Sequence, residues 1–275
     1  MCRLYALRAS EPTKVECSLV HAQNALMAQS REDLAGHSHA HGWGVAAYED
    51  HAPHVERQAW AAYHGEHFRR AAARVYATTV LAHVRDATVG EPTLANTHPF
   101  THERWSFAHN GTLPAFDAVR PLLLERISDK HRAQIGGITD SEHIFRLLMT
   151  KIDARPSAPL ADVLRDTARE VIALCNEITP EKRIGLNLMA TDGAQLAGTR
   201  FGRTLFYVER RGLLDCEICG FPHVHHHPGA DYRALIIASE PITHENWSEL
   251  PDDTAYAVNA RFELERSPLS LSRRD

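Results

Sequence analysis

The fold class follows from residues 140–178, whose sequence is DSEHIFRLLMTKIDARPSAPLADVLRDTAREVIALCNEI. The second half of this stretch predicts an amphipathic helix over Pro159–Ile178. Its apolar residues recur at helical spacing: Leu160, Leu164, Ala168, Val171, Ile172 and Cys175. The first half predicts another helix that begins near Asp140, with Thr139 or Asp140 as its cap. Two consecutive helices therefore occupy the middle of the chain.

Short apolar or alternating runs flank these helices on both sides and predict strands. The predicted strands are residues 2–8, 43–48, 58–63, 75–84, 105–109, 184–190, 204–209, 232–238, 254–258 and 262–264. Strands, then helices, then strands again favour two sheets packed face to face with helices outside, in an α+β fold. We expect one domain over residues 2–266 and a loose C-terminal tail over residues 267–275.

Composition excludes several classes of protein. Hydrophobic residues make up 44% of the 275 residues, which is enough for a packed core, and the net charge of -5 argues against nucleic-acid binding. No run approaches the roughly 18 apolar residues of a membrane helix. The first residues also lack the apolar core of a secretory leader, so we expect a cytoplasmic protein with reduced thiols.

Cys2 is the first candidate catalytic residue along the chain. Removal of Met1 would place an α-amine and a thiol on one residue, and the amine has a reference pKa of roughly 7.7–8.0. One residue would then supply both a nucleophile and its base. The alternative is a small apolar residue at the start of a strand.

Polar groups that could bind a substrate lie at three later positions, each at the end of a predicted strand or the start of a predicted helix. Arg85 follows a buried strand and could bind a carboxylate through two hydrogen bonds. Asn110 and Gly111 follow another strand and could form an oxyanion hole, although such a pair is more often a hairpin turn. Asp140 could accept an ammonium group or could simply cap its helix. Together they match the contacts that an L-glutamine substrate needs.

The sequences of several motifs, and their order along the chain, resemble those of the class II glutamine amidotransferases. The motifs are MCR (1–3), HGWGVAAY (41–48), AHVRDAT (82–88), NTHPF (96–100), FAHNGTL (107–113) and TDSEHIF (139–145). The sequence is most similar to the small stand-alone branch that includes the ergothioneine-pathway γ-glutamyl hydrolase. This resemblance implies a four-layer αββα sandwich with two mainly antiparallel sheets.

The resemblance also implies roles for individual residues. Cys2 would be the nucleophile that forms a thioester, and Asn110 and Gly111 would stabilise the oxyanion. In the same scheme three residues would hold the glutamyl group: Arg85 at its α-carboxylate, Asp140 at its α-amine and His98 on the carboxylate side of the pocket. This chemistry requires no cofactor.

The sequence leaves the substrate open. The enzyme would cleave the γ-amide of glutamine or of a γ-glutamyl metabolite, a small-molecule substrate. Alternatively it would be a glutaminase subunit that supplies ammonia to a separate partner enzyme. A third reading is a catalytically silent γ-glutamyl binding module, which retention of Met1 would produce directly.

A second group of candidate ligands lies in CEICGFPHVHHHPG, residues 216–229. Cys216, Cys219, His223 and His227 are candidate ligands of a structural zinc, with His225 and His226 nearby. The alternatives are a histidine-rich surface loop or a loop that borders the active site. Cys17 lies at the start of a predicted helix, where a lowered thiol pKa is an option, but no partner residues surround it in the sequence.

Overall fold

The computed structural model describes residues 2–50, 52–213, 215–224 and 231–269. Its strands, in chain order, are β1 (Arg3–Lys14), β2 (Trp43–Tyr48), β3 (His54–Gln58), β4 (Tyr76–Val84), β5 (Phe100–His102), β6 (Trp105–Thr112), β7 (Gly185–Thr191), β8 (Leu196–Arg200), β9 (Phe206–Arg211), β10 (Arg233–Ala238), β11 (Ser248–Glu249), β12 (Thr254–Val258) and β13 (Leu264–Pro268).

The α-helices lie between these strands. They are α1 (Leu26–Arg31), α2 (His67–Arg74), α3 (Phe116–Arg126), α4 (Asp129–Arg132), α5 (Asp140–Ala154) and α6 (Leu160–Ile178). A π-helical turn (Cys17–His21) and a 3-10 turn (Leu94–Asn96) complete the helical segments. The boundaries of α5 and α6 confirm the two central helices that the sequence predicts.

Two sheets form the middle of the structure, and neighbouring strands within them run antiparallel. One sheet has seven strands in the order β11-β9-β10-β1-β4-β2-β3, and the other has six in the order β13-β12-β8-β7-β6-β5. Strand β1 lies at the centre of the first sheet between β10 and β4. Strand β6 pairs with β7 in the second sheet.

Three apolar clusters separate four layers. Strand β1 contributes side chains to two of these clusters, because successive side chains of a strand point to opposite faces of the sheet. Leu4 packs in the cluster between the two sheets, whereas Tyr5 packs in the cluster beneath α1 and α2. The third cluster joins the other sheet to α3, α5 and α6. This αββα arrangement confirms the predicted α+β four-layer sandwich.

Some predicted elements differ from those observed. Strand β8 was not predicted, because Ala197 and Gly198 make its sequence only weakly apolar; Gly198 packs where a Cβ would overlap Tyr256. The helix predicted to begin at Cys17 is instead a π-helical turn followed by α1. Strand β3 lies over His54–Gln58, earlier than the predicted residues 58–63.

The packed structure also continues past the predicted domain boundary at residue 266. Strand β13 includes Ser267 and Pro268, and the side chain of Leu269 is fully buried. The rest of the predicted tail, residues 270–275, lies outside the described residues. None of the helices in the described part of the chain has both the length and the apolar character that crossing a membrane requires.

Candidate active site

The thiol of Cys2 lies at the entrance to β1 and is buried. Its Sγ atom donates a hydrogen bond of 3.5 Å to the backbone oxygen of Asp86. Burial raises the pKa of this thiol, since a low-dielectric environment disfavours the thiolate. The surroundings of Cys2 therefore favour its neutral thiol form.

A buried ionic network fixes the backbone next to that thiol. The Arg3 guanidinium donates to the Cys2 carbonyl oxygen at 3.1 Å and to the Glu240 carboxylate at 2.9 Å. It also pairs with Asp33, which in turn contacts His39 Nε2 at 3.0 Å. Removing one partner of such a network leaves a buried charge uncompensated, so its members hold one another in place.

Arg85 follows the last residue of β4, as the sequence predicts, and its guanidinium is buried. It donates to the backbone oxygens of Val89, Gly90 and Glu91 at 2.7, 2.8 and 3.1 Å respectively. Arginine has five N–H donors, so these three bonds leave two. Arg85 thus binds the loop over residues 89–91 and still has donors for another acceptor.

Asn110 and Gly111 lie inside β6, which corrects the turn expected at these positions. They pair with Asn187 and Leu186 of β7. The Asn110 amide donates to Ser239 Oγ at 3.1 Å, and the same hydroxyl accepts the backbone N–H of Leu4 at 2.9 Å. Ser239 therefore ties Asn110 to the strand that begins beside Cys2.

A glycine is required at position 111 for a packing reason. A Cβ there would overlap the backbone carbonyl of Gly185 on the neighbouring strand. The two glycines bring β6 and β7 close together, and the backbone of Gly111 lines the pocket described below.

Asp140 is the first residue of α5 and is buried. The capping residue is Thr139, whose side chain accepts the backbone N–H of Glu142 at 3.2 Å. The Asp140 carboxylate accepts backbone N–H groups from Leu113 at 2.9 Å and Ser141 at 2.7 Å. These bonds, together with the positive end of the helix dipole, hold a carboxylate in a fixed orientation.

One small cavity of about 20 Å³ brings most of the predicted residues together. Five of the six line it: Cys2, Arg85, His98, Gly111 and Asp140. Asn110 does not line the cavity, because its side chain is turned towards Ser239. Six further residues line it that the sequence did not assign to the site: Asp86, Thr88, Val89, His109, Thr139 and Ser141. Four of them, Asp86, His109, Thr139 and Ser141, adjoin a residue that the motifs single out.

Buried imidazoles form one wall of this cavity. His98 stacks on His83 with ring centroids 4.1 Å apart, and burial lowers the pKa of both rings. His109 is held by Ser141 Oγ at 2.9 Å and by the Gly185 carbonyl at 3.0 Å. Burial lowers its pKa as well. The wall therefore consists of neutral rings that add no positive charge beside the thiol.

A second cysteine site lies elsewhere in the structure. Cys17, Cys216, Cys219 and His223 place one potential ligand atom each within 4.8 Å of one another. Cys17 was expected to stand alone, and this arrangement corrects that expectation. Burial and the neighbouring thiols raise its pKa to about 12 instead of lowering it. The predicted ligand His227 lies outside the described residues, as do His225 and His226.

The model of a family described as "Glutamine amidotransferases class-II" matches residues 1–261 of the chain. The chain belongs to this family. It is therefore an enzyme of the amidotransferase and amide hydrolase type.

Two relatives of this amidotransferase show the range of the family. A Saccharomyces cerevisiae protein named "Probable glutamine amidotransferase DUG3" is 26% identical over 298 residues, covering 94% of this chain and 82% of that protein. The gamma-glutamyl-hercynylcysteine sulfoxide hydrolase of Mycobacterium tuberculosis is 28% identical over 224 residues, covering 81% and 76%.

Solved structures support the fold of the amidotransferase. A glutamine aminotransferase class-II domain protein from Silicibacter pomeroyi aligns with a TM-score of 0.62 and 21% identity. The alignment covers 98% of this chain and 100% of that one, so the αββα arrangement is shared along the whole length.

Proposed function

We propose that this amidotransferase cleaves the γ-amide of L-glutamine or of a γ-glutamyl metabolite through a thioester on Cys2. One observation carries the proposal: a single cavity joins the Cys2 thiol, the Arg85 guanidinium, the Gly111 backbone and the Asp140 carboxylate. These groups are far apart in sequence and come from both sheets and a helix. Their chemistry matches a substrate that has a carbonyl to attack and both an α-carboxylate and an α-amine to bind.

Activation of the thiol follows from its burial. Because burial raises the Cys2 pKa, the thiol needs a nearby base. Removal of Met1 supplies one on the same residue, an α-amine with a reference pKa of roughly 7.7–8.0. The Arg3 bond to the Cys2 carbonyl holds that residue while its amine and thiol exchange a proton.

Recognition of the glutamyl group rests on Arg85 and Asp140. Arg85 would bind the α-carboxylate with N–H groups that otherwise donate to the loop over residues 89–91. Asp140 accepts two backbone N–H groups and the Ser141 hydroxyl, and a carboxylate has about four lone-pair sites, so one site remains for the α-ammonium. His98 would form a neutral wall on the carboxylate side.

Stabilisation of the oxyanion would come from Asn110 and Gly111. Asn110 uses one of its two amide hydrogens for Ser239, which leaves the other for a ligand. A small rotation about its side chain would direct that hydrogen towards the cavity. The rotated Asn110 amide and the Gly111 N–H would then stabilise the negative charge that develops on the substrate oxygen.

The reaction then has two halves. The Cys2 sulfur forms a bond to the γ-carbonyl carbon, and the thiol proton moves to the α-amine. The C–N bond breaks, and the α-ammonium returns a proton to the leaving amine. Water next adds to the thioester carbonyl, the C–S bond breaks, and glutamate and the free thiol are released. No redox step or cofactor takes part.

The size of the cavity adds a structural requirement. About 20 Å³ holds roughly one water molecule, far less than a glutamyl group. A bound glutamyl group would therefore extend beyond this cavity or displace part of its wall. The loop over residues 89–91 is suited to this, because a substrate carboxylate can replace its carbonyl oxygens at Arg85.

A panel of γ-glutamyl amides, assayed by glutamate release, tests the proposal. Free glutamine as the best substrate would favour the supply of ammonia to a partner enzyme. A larger γ-glutamyl conjugate as the best substrate would favour a metabolite hydrolase. An active protein whose intact mass still includes Met1 would overturn the mechanism, and binding without turnover would indicate the silent module.

A further inference from the structure

We propose that Cys17, Cys216, Cys219 and His223 bind one Zn²⁺ ion that joins the segment after β1 to the loop between β9 and β10. The site is independent of the cavity at Cys2. It differs from the site predicted from sequence, because Cys17 supplies the fourth ligand and His227 is not needed.

The distances fit a tetrahedral ion. Zinc binds cysteine sulfur at about 2.3 Å and histidine nitrogen at about 2.0–2.1 Å, which separates ligand atoms by roughly 3.5–3.8 Å. The four potential ligand atoms already lie within 4.8 Å of one another, and Cys219 Sγ is 3.3 Å from His223 Nε2. Shifts of about an ångström therefore suffice.

The local backbone is shaped to hold two sulfur ligands. The backbone N–H of Ile218 donates to Cys216 Sγ at 3.4 Å. Gly220, directly after Cys219, has φ +74° and donates its N–H to the Cys216 carbonyl at 2.8 Å. This turn brings both cysteines to the same side, as a Cys-x-x-Cys metal site requires.

The type of ligand selects the metal. Three soft thiolates and one imidazole in a closed four-ligand set are typical of structural zinc. All five cysteines of the chain are free of disulfide bonds, so the three thiols remain available. A cavity of about 240 Å³ lined by Cys17, Cys216 and His223 gives an ion a route to them.

The loop between β9 and β10 has few other interactions that would stabilise its conformation. Two of its described apolar side chains point outward, with Phe221 72% exposed and Ile218 42% exposed, whereas Val224 and Tyr232 pack in the core. Burial therefore contributes little to holding the part of the loop that carries the cysteines. Its described backbone link to β1 consists of the bond from Lys14 N to His223 O at 2.8 Å and the bridge between Thr13 and Val224. Metal coordination would supply the stabilisation that packing does not.

Elemental analysis of the full chain tests the site, after removal of metal with a chelator and reloading with Zn²⁺. We expect one zinc per chain. Cys17→Ala should weaken zinc binding by more than the roughly 10–100-fold that losing an outer-shell partner costs. The matched control is Cys175→Ala, which removes a buried thiol outside the cluster and should bind zinc as the wild type does.

Several outcomes would overturn the proposal. They are a reloaded wild type without stoichiometric zinc, stoichiometric iron in its place, a disulfide between Cys216 and Cys219 in fresh protein, or equal affinity in Cys17→Ala and wild type. Glutamate release should change only a few-fold in Cys17→Ala, so the two proposals fail separately.

Cobalt replacement gives a readout on the wild type even if Cys17→Ala does not fold. Tetrahedral Co²⁺ with intense thiolate charge-transfer bands is the expected spectrum. Weak octahedral bands without sulfur charge transfer would contradict the site.

Discussion

Cys2 and Cys17 are two buried thiols at opposite ends of β1, and their surroundings differ in kind. Cys2 has a single sulfur near a guanidinium, a carboxylate and a backbone carbonyl. Cys17 has two further thiols and an imidazole within 4.8 Å. The comparison teaches that burial alone does not assign a thiol its chemistry. A lone thiol among groups that bind substrate suits covalent catalysis, whereas grouped thiols suit a metal.

The largest expected effect comes from Cys2→Ala. Loss of the nucleophile should lower kcat/KM for glutamate release by at least about 10⁴-fold, because Cys2 is the only thiol among the residues that line the cavity. Zinc content and the melting temperature should stay near those of the wild type. Equal activity in Cys2→Ala and wild type would show that the Cys2 thiol is not catalytic, and the proposed difference between Cys2 and Cys17 would fail.

Asn110→Ala should have the next largest effect. The loss of one oxyanion donor lowers kcat by about 10²–10³-fold, while KM changes little because the bond forms in the transition state. Steady-state kinetics with the best substrate of the panel measure both constants. A raised KM with an unchanged kcat would instead assign Asn110 to ground-state binding.

Arg85→Lys keeps the charge but removes the planar pair of donors. A charge-assisted hydrogen bond contributes about 1.5–3 kcal/mol, so kcat/KM should fall roughly 10–100-fold. The control is an analogue that lacks the α-carboxylate, on which the wild type and the variant should act equally well. An equal loss on both substrates would mean that Arg85 acts only by holding the loop over residues 89–91.

The smallest effect is a pH dependence of stability that arises near Cys2. Burial lowers the pKa of His83 and His98 below the ordinary 6.5, and that of His39 to about 4. Below pH 6.5 the unfolded chain therefore binds more protons than the folded one, and stability falls as pH falls. For His39 this loss extends down to about pH 4.

Urea unfolding at pH values above and below 6.5 measures this dependence. His39→Asn should flatten the slope by on the order of 1 kcal/mol per pH unit within that window. A free energy of unfolding that is independent of pH in this range would show that the buried rings accept protons as readily as free histidine does.

The predicted fold succeeded where local pattern and tertiary packing agree. The helical stripe of α6 is buried against the second sheet as its spacing requires, with Leu164 and Cys175 fully enclosed. The prediction failed at β8 and at Asn110-Gly111. In both places glycines serve close approach of neighbouring backbones, and a glycine signals a turn when sequence is considered alone.

Some of the candidate site residues could be placed from the sequence, and others could not. Arg85 and Asp140 could be placed from sequence, because each adjoins the end of an element that periodicity predicts. His109 and Ser141 could not, since their role depends on a hydrogen bond between a strand and a helix. Cys17 was equally hidden, because its partners lie far along the chain.

The sequence by itself indicated two stacked sheets with helices outside, most of their elements and the set of chemical groups proposed for acyl transfer. Those properties depend on spacing and residue type, which are local. Only the tertiary structure decided which groups meet, because strand order across the sheets brings residues 2, 85, 111 and 140 to one cavity and residues 17, 216, 219 and 223 to another site. Distances between remote segments arise from packing, and no local pattern encodes them.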